Sequence, residues 1–371
     1  MDAICTKFSA IILSAGYSSR MGSFKPFLKI DGRPFTERAV ALFMEAGLSD
    51  IVIVTGNQSE MLTNSLENFP VKCVENKDFA MGMFTSVQTG VRNLGECTAF
   101  FLLPVDIPLV RPQTIRYIIN SYNPQSNVII PAFMGESGHP PLISFTLKNK
   151  ILTYNGEGGL VGFFQKSAKT VKLPVGDECI LMDCDTPEDY QRLAGIAVSK
   201  PAPTRDECME LLRDVYRADE PVIRHSIGVA RLALKIAEKL GFANAELSVI
   251  EAAGLLHDIC RKEKNHAAAG AAEINRLGFP ETAFAIETHM DIYPNAETPP
   301  SASEIIYLAD KLMEGERMTT LTERFEKKLL LHGNEAGESI KKRLAAAREI
   351  YAKIQSLIDL DALLGEYGKT P

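Results

Sequence analysis

The sequence predicts two successive domains: an α/β domain with a mostly parallel sheet covered by helices on both faces, then an all-α domain. Over the first 195 residues, short apolar runs alternate with helical segments, a pattern typical of parallel sheets. Residues 196–206 contain Pro201 and Pro203, which stiffen a linker. Beyond the linker the strand pattern stops, so we expect domains over residues 1–197 and 198–371.

The apolar runs give each expected element its position. In the first domain we expect strands at 9–13, 51–55, 71–74, 99–103, 128–131 and 170–173, and helices at 35–46, 83–94, 111–121, 159–166 and 186–195. The second domain opens with apolar residues every three or four positions, on a helix that Gly241 ends: Ile223, Ile227, Ala230, Leu234 and Ala237. Further helices are expected at 244–258, 266–277, 281–289, 303–316 and 338–358.

Charge and hydropathy argue against two classes of partner. The net charge of -7 argues against nucleic acid, which normally requires a basic face. The longest apolar stretch is shorter than the 18 residues of a membrane span. The apolar run at residues 8–13 leads directly into a Gly-rich loop, so we interpret it as an opening strand and not as a signal peptide.

The cysteines predict a reducing compartment. They are odd in number, scattered and free of any C-x-x-C pair, which indicates reduced thiols and a cytoplasmic location. Cys260 follows Asp258 by two residues, and we expect it to pack and not to bind metal. The seven are Cys5, Cys73, Cys97, Cys179, Cys184, Cys208 and Cys260.

The segment after the first expected strand, residues 13–25, is suited to binding phosphates. Gly16 and Gly22 permit positive φ and close backbone approach. Arg20 and Lys25 add charge-assisted donors. The segment matches neither the P-loop nor the dinucleotide-binding motif, and its two glycines alone also fit an ordinary strand-to-helix turn.

Two acids follow at positions suited to a metal. Asp106 comes just after a buried strand, and ligands of open α/β sheets bind at the carboxyl ends of the strands. A carboxylate there can hold Mg²⁺ on a triphosphate. Asp185 precedes an expected helix, where the run Asp-Thr-Pro-Glu is also a good helix start.

These motifs together resemble the MobA-like nucleotidyltransferases, the molybdenum-cofactor guanylyl- and cytidylyltransferases. The resemblance covers about residues 8–195. It is carried by Leu-Ser-Ala-Gly…Ser-Arg-Met-Gly…Lys at 13–25, Ala-Met-Gly…Ser at 80–86, Asp-Ile-Pro at 106–108, Gly-His-Pro-Pro at 138–141 and Asp-Thr-Pro-Glu-Asp at 185–189.

The resemblance implies a Rossmann-like nucleotidyltransferase fold, a nucleotide site and a reaction. A phosphate of the acceptor attacks the α-phosphate of an NTP in line and releases pyrophosphate. Positioning and charge neutralisation supply the catalysis. By the resemblance, Arg20, Lys25 and Asp106 are catalytic and Asp106 and Asp185 hold Mg²⁺; the nucleotide site comprises Ser14, Ala15, Gly16, Arg20, Lys25, Gly82, Ser86 and Asp106.

The loop sequence suggests which nucleotide is used. Ser14-Ala15-Gly16 is closer to the cytidylyltransferase version than to the Gly-Gly loop of the guanylyl enzymes, and we expect the Ala15 methyl to crowd a purine. The Gly-Asp-x-Gly element of the cytidylyl enzymes is changed, with Glu157 in place of Asp. A sugar or polyol phosphate is therefore an alternative acceptor to molybdopterin. His139 fits a substrate contact and a structural hydrogen bond equally.

Histidine and aspartate cluster in the second half. The chain has six histidines, and four of them lie between residues 225 and 289. Imidazole and carboxylate together suit Zn, Fe or Mn, and water on such a metal becomes a nucleophile near neutral pH. Asp310 lies in an apolar helix, where a buried acid requires a cationic partner. Either a metal or Lys311 would satisfy it.

The pattern of His225, His257-Asp258 and Asp310 resembles the HD-domain phosphohydrolases over about residues 220–320. The resemblance implies that these four residues hold one metal. Asp258, the expected catalytic residue, then bridges to a second metal held by His266 and His289. A metal-held hydroxide would attack a phosphate ester. Arg224, Arg261 and Lys262 either bind its oxygens or are solvated charges.

We therefore expect a bifunctional enzyme: transfer of a nucleotidyl group, from CTP in our interpretation, to a phosphorylated acceptor such as molybdopterin, and metal-dependent hydrolysis of a phosphate ester. A partner in molybdoenzyme maturation is compatible with this. The alternative for the second domain is a nucleotide-sensing module without catalysis. The complete set of metal ligands argues against that alternative, because a sensor does not need them all.

Overall fold

The computed structural model describes residues 7–18, 20–198, 200–332 and 337–367. Cys5, Ser19 and Ser199, which fall in segments discussed above, lie outside these ranges. The chain divides into two compact units, Met1–Val198 and Ser199–Pro371. The expected division after residue 197 lies one residue away from this one.

The first unit is built on an eight-stranded, mostly parallel sheet, as expected. Its main strands are β1 (Phe8–Ser14), β4 (Asp50–Thr55), β5 (Lys72–Glu75), β6 (Ala99–Pro104), β7 (Val128–Phe133), β9 (Leu142–Ser144) and β10 (Thr170–Pro174). Their order is β10-β7-β9-β6-β1-β4-β5, with β8 (Glu136–Ser137) paired to β7. The pairs of β9 with β6 and with β7 are antiparallel. A separate short hairpin joins β2 (Lys29–Ile30) and β3 (Arg33–Pro34).

Helices cover both faces of this sheet. They are α1 (Phe35–Glu45), α2 (Ser59–Ser65), α3 (Met83–Asn93), α4 (Pro112–Asn120), α5 (Lys148–Thr153), α6 (Gly159–Ser167) and α7 (Pro187–Val198). Successive residues of β1 enter different cores, Ile12 on one face and Ile11 on the other, because strand side chains alternate in direction. Burial on both faces explains why the strands are continuously apolar.

The second unit is helical. It contains α8 (Arg205–Glu210), α9 (Glu220–Leu240), α10 (Asn244–Leu256), α11 (His266–Arg276), α12 (Pro280–Glu287), α13 (Ala302–Leu312), α14 (Leu321–His332), α15 (Gly337–Gln355) and α16 (Leu360–Tyr367). Gly241 ends α9 at a φ of 81°, as its position predicted. On α9, Ile223 and Ala230 are buried, whereas Ile227 packs against the core from a half-buried position. Gly254 of α10 lies where an added Cβ would come within 2.5 Å of the Ala230 Cα, so these two helices pack closely.

One expected helix was too long. The segment 303–316 is helical only as far as Leu312, and a short hairpin follows, β11 (Met313–Glu314) with β12 (Arg317–Met318). Gly315 turns this hairpin with a φ of 61°, a conformation that glycine adopts at little cost. Glu314 and Gly315 of this hairpin line a cavity together with His225 and Asp258. Among the helices of the described residues, none is long and apolar enough to cross a membrane.

Candidate active sites

The first candidate site lies where β1 and β6 end. These strands are parallel neighbours, with Leu13 opposite Pro104, and the Val105 N–H donates to the Leu13 carbonyl at 3.0 Å. The loop after β1 and the residues after β6 are therefore adjacent. They enclose a cavity of about 210 Å³, lined among others by Ser14, Ala15, Gly16, Lys25, Ser86 and Asp106.

Lys25 links the two predicted magnesium ligands. Its Nζ donates to Asp106 Oδ2 at 2.9 Å and to Asp185 Oδ1 at 2.6 Å. The Lys25 side chain is only 11% exposed. Burial on its own lowers the pKa of Lys25, but the hydrogen bonds to the two carboxylates outweigh it and raise that pKa. The ammonium is therefore firmly charged and positioned between the two acids.

Arg20 completes this ion cluster from the exposed side. Its Nη1 donates to Asp185 Oδ2 at 2.7 Å. The pKa of Asp185 is lowered, first by the hydrogen bond from Lys25. The structure thus brings Arg20, Lys25, Asp106 and Asp185 together in one ion cluster, of which Lys25 and Asp106 line the cavity. Such an arrangement can bind a phosphate chain and a divalent cation.

The opposite wall of this cavity comes from the start of α3. Gly82 takes a φ of 114° and joins a short 3-10 turn to the helix. Ser86 is buried and lines the cavity, and its Oγ accepts a hydrogen bond from Asn76 Nδ2 at 2.9 Å. Sequence reasoning missed Asn76, although its place just after β5 at the carboxyl edge was a usable signal.

One expectation about the loop needs correction. Gly16 does not take a positive φ, unlike Gly22 at 68°. An added Cβ on Gly16 would meet nothing within 4 Å, so the space beside this glycine is open. The Ala15 methyl packs against Gly56, where an added Cβ would lie 2.8 Å from it. Ala15 also lines the cavity, and its expected effect on a purine stays a prediction.

A second cavity of about 350 Å³ adjoins the first and shares Leu13, Met83 and Pro104 with it. Its other walls include Phe84, Phe164, Gly158 and His139. The Nδ1 atom of His139 is buried without a hydrogen-bond partner among the described residues, and burial lowers the pKa of the ring.

Glu157 does not line either of these two cavities. Its side chain is 69% exposed and pairs with Lys166 Nζ at 2.7 Å. Neither lining includes it. The residue that replaces the Asp of the cytidylyl enzymes therefore points away from the cavities of this domain.

The second candidate site is the His–Asp cluster of the helical unit. His225 lies on α9, His257 and Asp258 follow α10, His266 begins α11 and His289 follows α12. Their ligand atoms form two groups, each within 4.8 Å: His225, His257 and Asp258, and then Asp258, His266 and His289. Asp258 belongs to both groups, with its Oδ1 at 3.3 Å from His266 Nε2 and 3.5 Å from His289 Nε2.

Backbone carbonyls orient two of these rings. His257 Nδ1 lies 2.8 Å from the Gly254 carbonyl, and His289 Nδ1 lies 2.8 Å from the Ile286 carbonyl. Each Nδ1 therefore donates, which leaves Nε2 with a free lone pair. Both Nε2 atoms are buried and have no hydrogen-bond partner among the described residues. Two buried acceptor nitrogens that lie near the Asp258 carboxylate without a hydrogen-bond partner are suited to binding a metal ion.

Protonation states support the same conclusion. Burial lowers the pKa of His257 to about 4, so its ring is neutral, the form that binds metals. Burial on its own raises the pKa of Asp258, but the surrounding imidazoles lower it overall. The cluster thus offers a neutral imidazole at His257 and an ionised carboxylate at Asp258.

Asp310 on α13 reaches the cluster through one oxygen. Its Oδ1 lies 3.0 Å from His225 Nε2 and 3.9 Å from His257 Nε2. Its Oδ2 accepts from Lys311 Nζ, which also donates to the His289 carbonyl at 2.8 Å. Of the two partners considered for Asp310, Lys311 contacts Oδ2, and Oδ1 faces the imidazoles of His225 and His257, where a metal ion would lie.

One of the three cations considered above, Arg261, lines the cavity beside the cluster. Arg261 Nη1 lies 3.2 Å from Asp258 Oδ1 and lines a cavity of about 390 Å³. Arg224 and Lys262 pair with nearby acids and do not line it. Cys260 belongs to neither ligand group. The structure instead adds Arg324, Lys327 and Lys328 from α14, a helix that the sequence pattern did not predict.

Comparison with known proteins identifies both units. Residues 10–171 match the sequence profile of the MobA-like NTP transferase domain, and residues 222–314 match that of the HD domain. The chain joins a MobA-like NTP transferase domain to an HD domain. It is thus an enzyme with a nucleotidyltransferase domain of the MobA-like type and an HD domain.

The relatives of the transferase domain are distant. Nicotine blue oxidoreductase of Paenarthrobacter nicotinovorans is 26% identical over 195 residues, 50% of this chain and 95% of that protein. The molybdenum cofactor guanylyltransferase of Xanthomonas euvesicatoria is 29% identical over 103 residues, 28% of this chain and 49% of that protein. The crystal structure of Rv0371c from Mycobacterium tuberculosis has a TM-score of 0.46 and 23% identity, and the alignment covers 51% of this chain and 98% of that one.

Proposed function

We propose that the MobA-like domain transfers a nucleotidyl group, cytidylyl in the leading interpretation, from an NTP to a phosphorylated acceptor such as molybdopterin. The observation that carries this is the Lys25 ammonium, placed between Asp106 and Asp185 at the mouth of the loop cavity. A cation and two acids at one point suit a magnesium-bound triphosphate. Mg²⁺ on the triphosphate would be held by Asp106 and Asp185.

The chain's own groups position the reaction. Lys25 and Arg20 bind phosphate oxygens and offset the charge that develops on the leaving pyrophosphate. The open space at Gly16 lets backbone N–H groups approach the phosphates. An acceptor oxygen forms a bond to the α-phosphorus, the bond from that phosphorus to the β-bridging oxygen breaks, and pyrophosphate leaves.

The neighbouring cavity supports a ring-containing acceptor. Its walls include the aromatic side chains of Phe84 and Phe164 and the apolar side chains of Leu160 and Val161. Such walls suit the flat face of a pterin better than a polyol, which would leave hydroxyl groups without partners. His139 offers one buried polar atom that can pair with such a ring.

We propose in addition that the HD domain hydrolyses a phosphate ester or anhydride. His225, His257, Asp258 and Asp310 would hold one transition metal, and Asp258, His266 and His289 a second. When bound, such a metal activates water near neutral pH. The orphaned Nε2 atoms of His257 and His289 support catalysis over a metal-free sensing role.

Pyrophosphate release tests the transferase proposal. The intact chain is incubated with Mg²⁺ and CTP, GTP or ATP, with and without molybdopterin. We expect release with CTP that depends on molybdopterin. Release with GTP alone would replace cytidylyl by guanylyl transfer, and release that requires a sugar phosphate would rule out molybdopterin.

Metal content and hydrolysis test the second proposal. We expect the purified chain to contain transition metal and to release phosphate from an ester such as p-nitrophenyl phosphate when Mn²⁺ is supplied. A chain that binds no transition metal and stays inert with Mn²⁺ would instead favour the sensing module.

A further inference from the structure

Three cations of α14 line the cavity of the HD domain, namely Arg324, Lys327 and Lys328, and none of them belongs to the metal-ligand motif. Arg324 and Lys328 are four residues apart, so they lie on one face of the helix. Both line the cavity of about 390 Å³ that also contains His225, Asp258 and Asp310. Helix α14 begins after residue 314, where the match to the HD domain ends. The family match therefore assigns these residues no role.

Lys328 has an unusual environment for a lysine. It is half-buried. Within the part of the chain that the structure describes, its ammonium has no ion pair or hydrogen bond. The centre of the Phe325 ring lies 5.7 Å from the Lys328 Nζ. Burial, together with repulsion from Arg324 and Lys311, lowers the pKa of Lys328 to about 8. The adjacent Lys327, in contrast, is 61% exposed and pairs with Glu314. A half-buried cation beside other cations is costly unless an anion joins it.

Arg324 lies directly beside the proposed metal centre. Its Nη1 donates to the Met313 carbonyl, and its Nη2 lies 3.4 Å from Asp310 Oδ1. These contacts hold the guanidinium in place, and a guanidinium with five N–H donors retains others for a ligand. An anion bound by Arg324 would therefore lie next to the group held by the metal ligands.

The charge of the cavity indicates how much negative charge its ligand carries. Cationic side chains outnumber carboxylates in the lining, and a bound metal ion would add to the excess. A phosphomonoester carries about two negative charges near pH 7, and each further linked phosphate makes the group more negative. The cations are Arg261, Lys311, Arg324, Lys327 and Lys328, and the carboxylates are Asp258, Asp310 and Glu314.

We propose that Arg324 and Lys328 form an anion subsite that binds the phosphate next to the scissile one, and that the substrate carries two or more linked phosphates. The proposal rests on the hydrolase function given above. Water supplies OH to the terminal phosphoryl group, and the anhydride P–O bond breaks. The leaving phosphate keeps the bridging oxygen with its electron pair, and the proton of water passes to solvent. The two cations stabilise the charge on that leaving phosphate.

Kinetics on the full chain with Mn²⁺ test the subsite. Phosphate release is measured from inorganic tripolyphosphate and from p-nitrophenyl phosphate, which has a single phosphate. Lys328→Met should raise the KM for tripolyphosphate about tenfold, the loss expected for one charge-assisted hydrogen bond. The KM for p-nitrophenyl phosphate should stay within about twofold. Lys328→Arg should restore most of the tripolyphosphate affinity.

The exposed Lys341, which pairs with Glu338 outside the cavity, supplies the control variant Lys341→Met. Equal KM changes for the two substrates, or none, would overturn the subsite. If the wild-type chain hydrolyses neither compound, the hydrolase function fails, and calorimetry with tripolyphosphate decides the subsite. In a Lys25→Met background, Lys328→Met should weaken binding about tenfold, and unchanged binding would overturn the proposal.

Discussion

The Lys25 ammonium lies 2.6 Å from a carboxylate oxygen of Asp185, although 160 residues separate the two in the chain. The same nitrogen donates to Asp106 at 2.9 Å. The loop after β1, the end of β6 and the start of α7 therefore meet at one ion cluster. Three motifs that are far apart in the sequence therefore form one candidate site.

Replacing Lys25 by Met should reduce nucleotidyl transfer by about 100-fold or more, because it removes a preorganised cation from the phosphate site. Pyrophosphate release under saturating NTP is the measurement. Lys166→Met is the control, since Lys166 is exposed, pairs with the exposed Glu157 and does not line either cavity of this domain. If the Lys25→Met variant kept a transfer rate within about tenfold of the wild-type rate, the cluster would not bind the reacting phosphates.

Metal content should follow the two ligand groups of the HD domain. Because Asp258 belongs to both groups, Asp258→Ala should remove all bound transition metal. His266→Ala should remove only the metal of the second group. Elemental analysis of the purified variants gives the stoichiometry, and circular dichroism confirms that they fold. Unchanged metal content in Asp258→Ala would place the ions elsewhere.

Metal binding should stabilise the helical domain. Free Mn²⁺ at 100 times its Kd contributes about 2.7 kcal/mol to the stability of the folded state. For a domain of this size we expect Tm to rise by about 5–10 °C relative to chelated protein. Differential scanning calorimetry measures the shift. The same rise in Asp258→Ala would mean that Mn²⁺ acts away from the His–Asp cluster.

Two glycines should respond to alanine in opposite directions. An added Cβ on Gly254 would lie 2.5 Å from the Ala230 Cα, so Gly254→Ala should destabilise the packing of α9 on α10 by about 1–3 kcal/mol. Gly365 lies in α16 with nothing within 4 Å of an added Cβ, so Gly365→Ala should be neutral or stabilising by up to about 1 kcal/mol. Urea unfolding measures both. A destabilised Gly365→Ala variant would contradict the open space beside Gly365 on α16.

Much of the fold could be predicted because burial on two faces makes strands such as β1 and β6 continuously apolar. Strand β9 could not, since its three residues follow two prolines and owe their pairing to neighbours distant in sequence. The helix at 303–316 was predicted too long because the apolar pattern does not reveal the turn at Gly315.

The clustering of the histidines with Asp258 could be predicted from residue type and spacing, since histidine is scarce in this chain; their role as metal ligands stays a prediction. The cations of α14 could not be predicted. That helix is rich in charged residues and its one fully buried side chain is Phe325 among those described, so it has no clear apolar stripe. Only the folded chain brings Arg324 within 3.4 Å of Asp310.

The central claim is that two separate catalytic units share one chain. We would measure pyrophosphate release from CTP and phosphate release with Mn²⁺ on the intact protein and on two variants, Asp106→Asn and Asp258→Asn. The account predicts that Asp106→Asn loses nucleotidyl transfer and keeps hydrolysis, and that Asp258→Asn does the reverse. Loss of both activities in either folded variant would contradict it and would indicate a single coupled site.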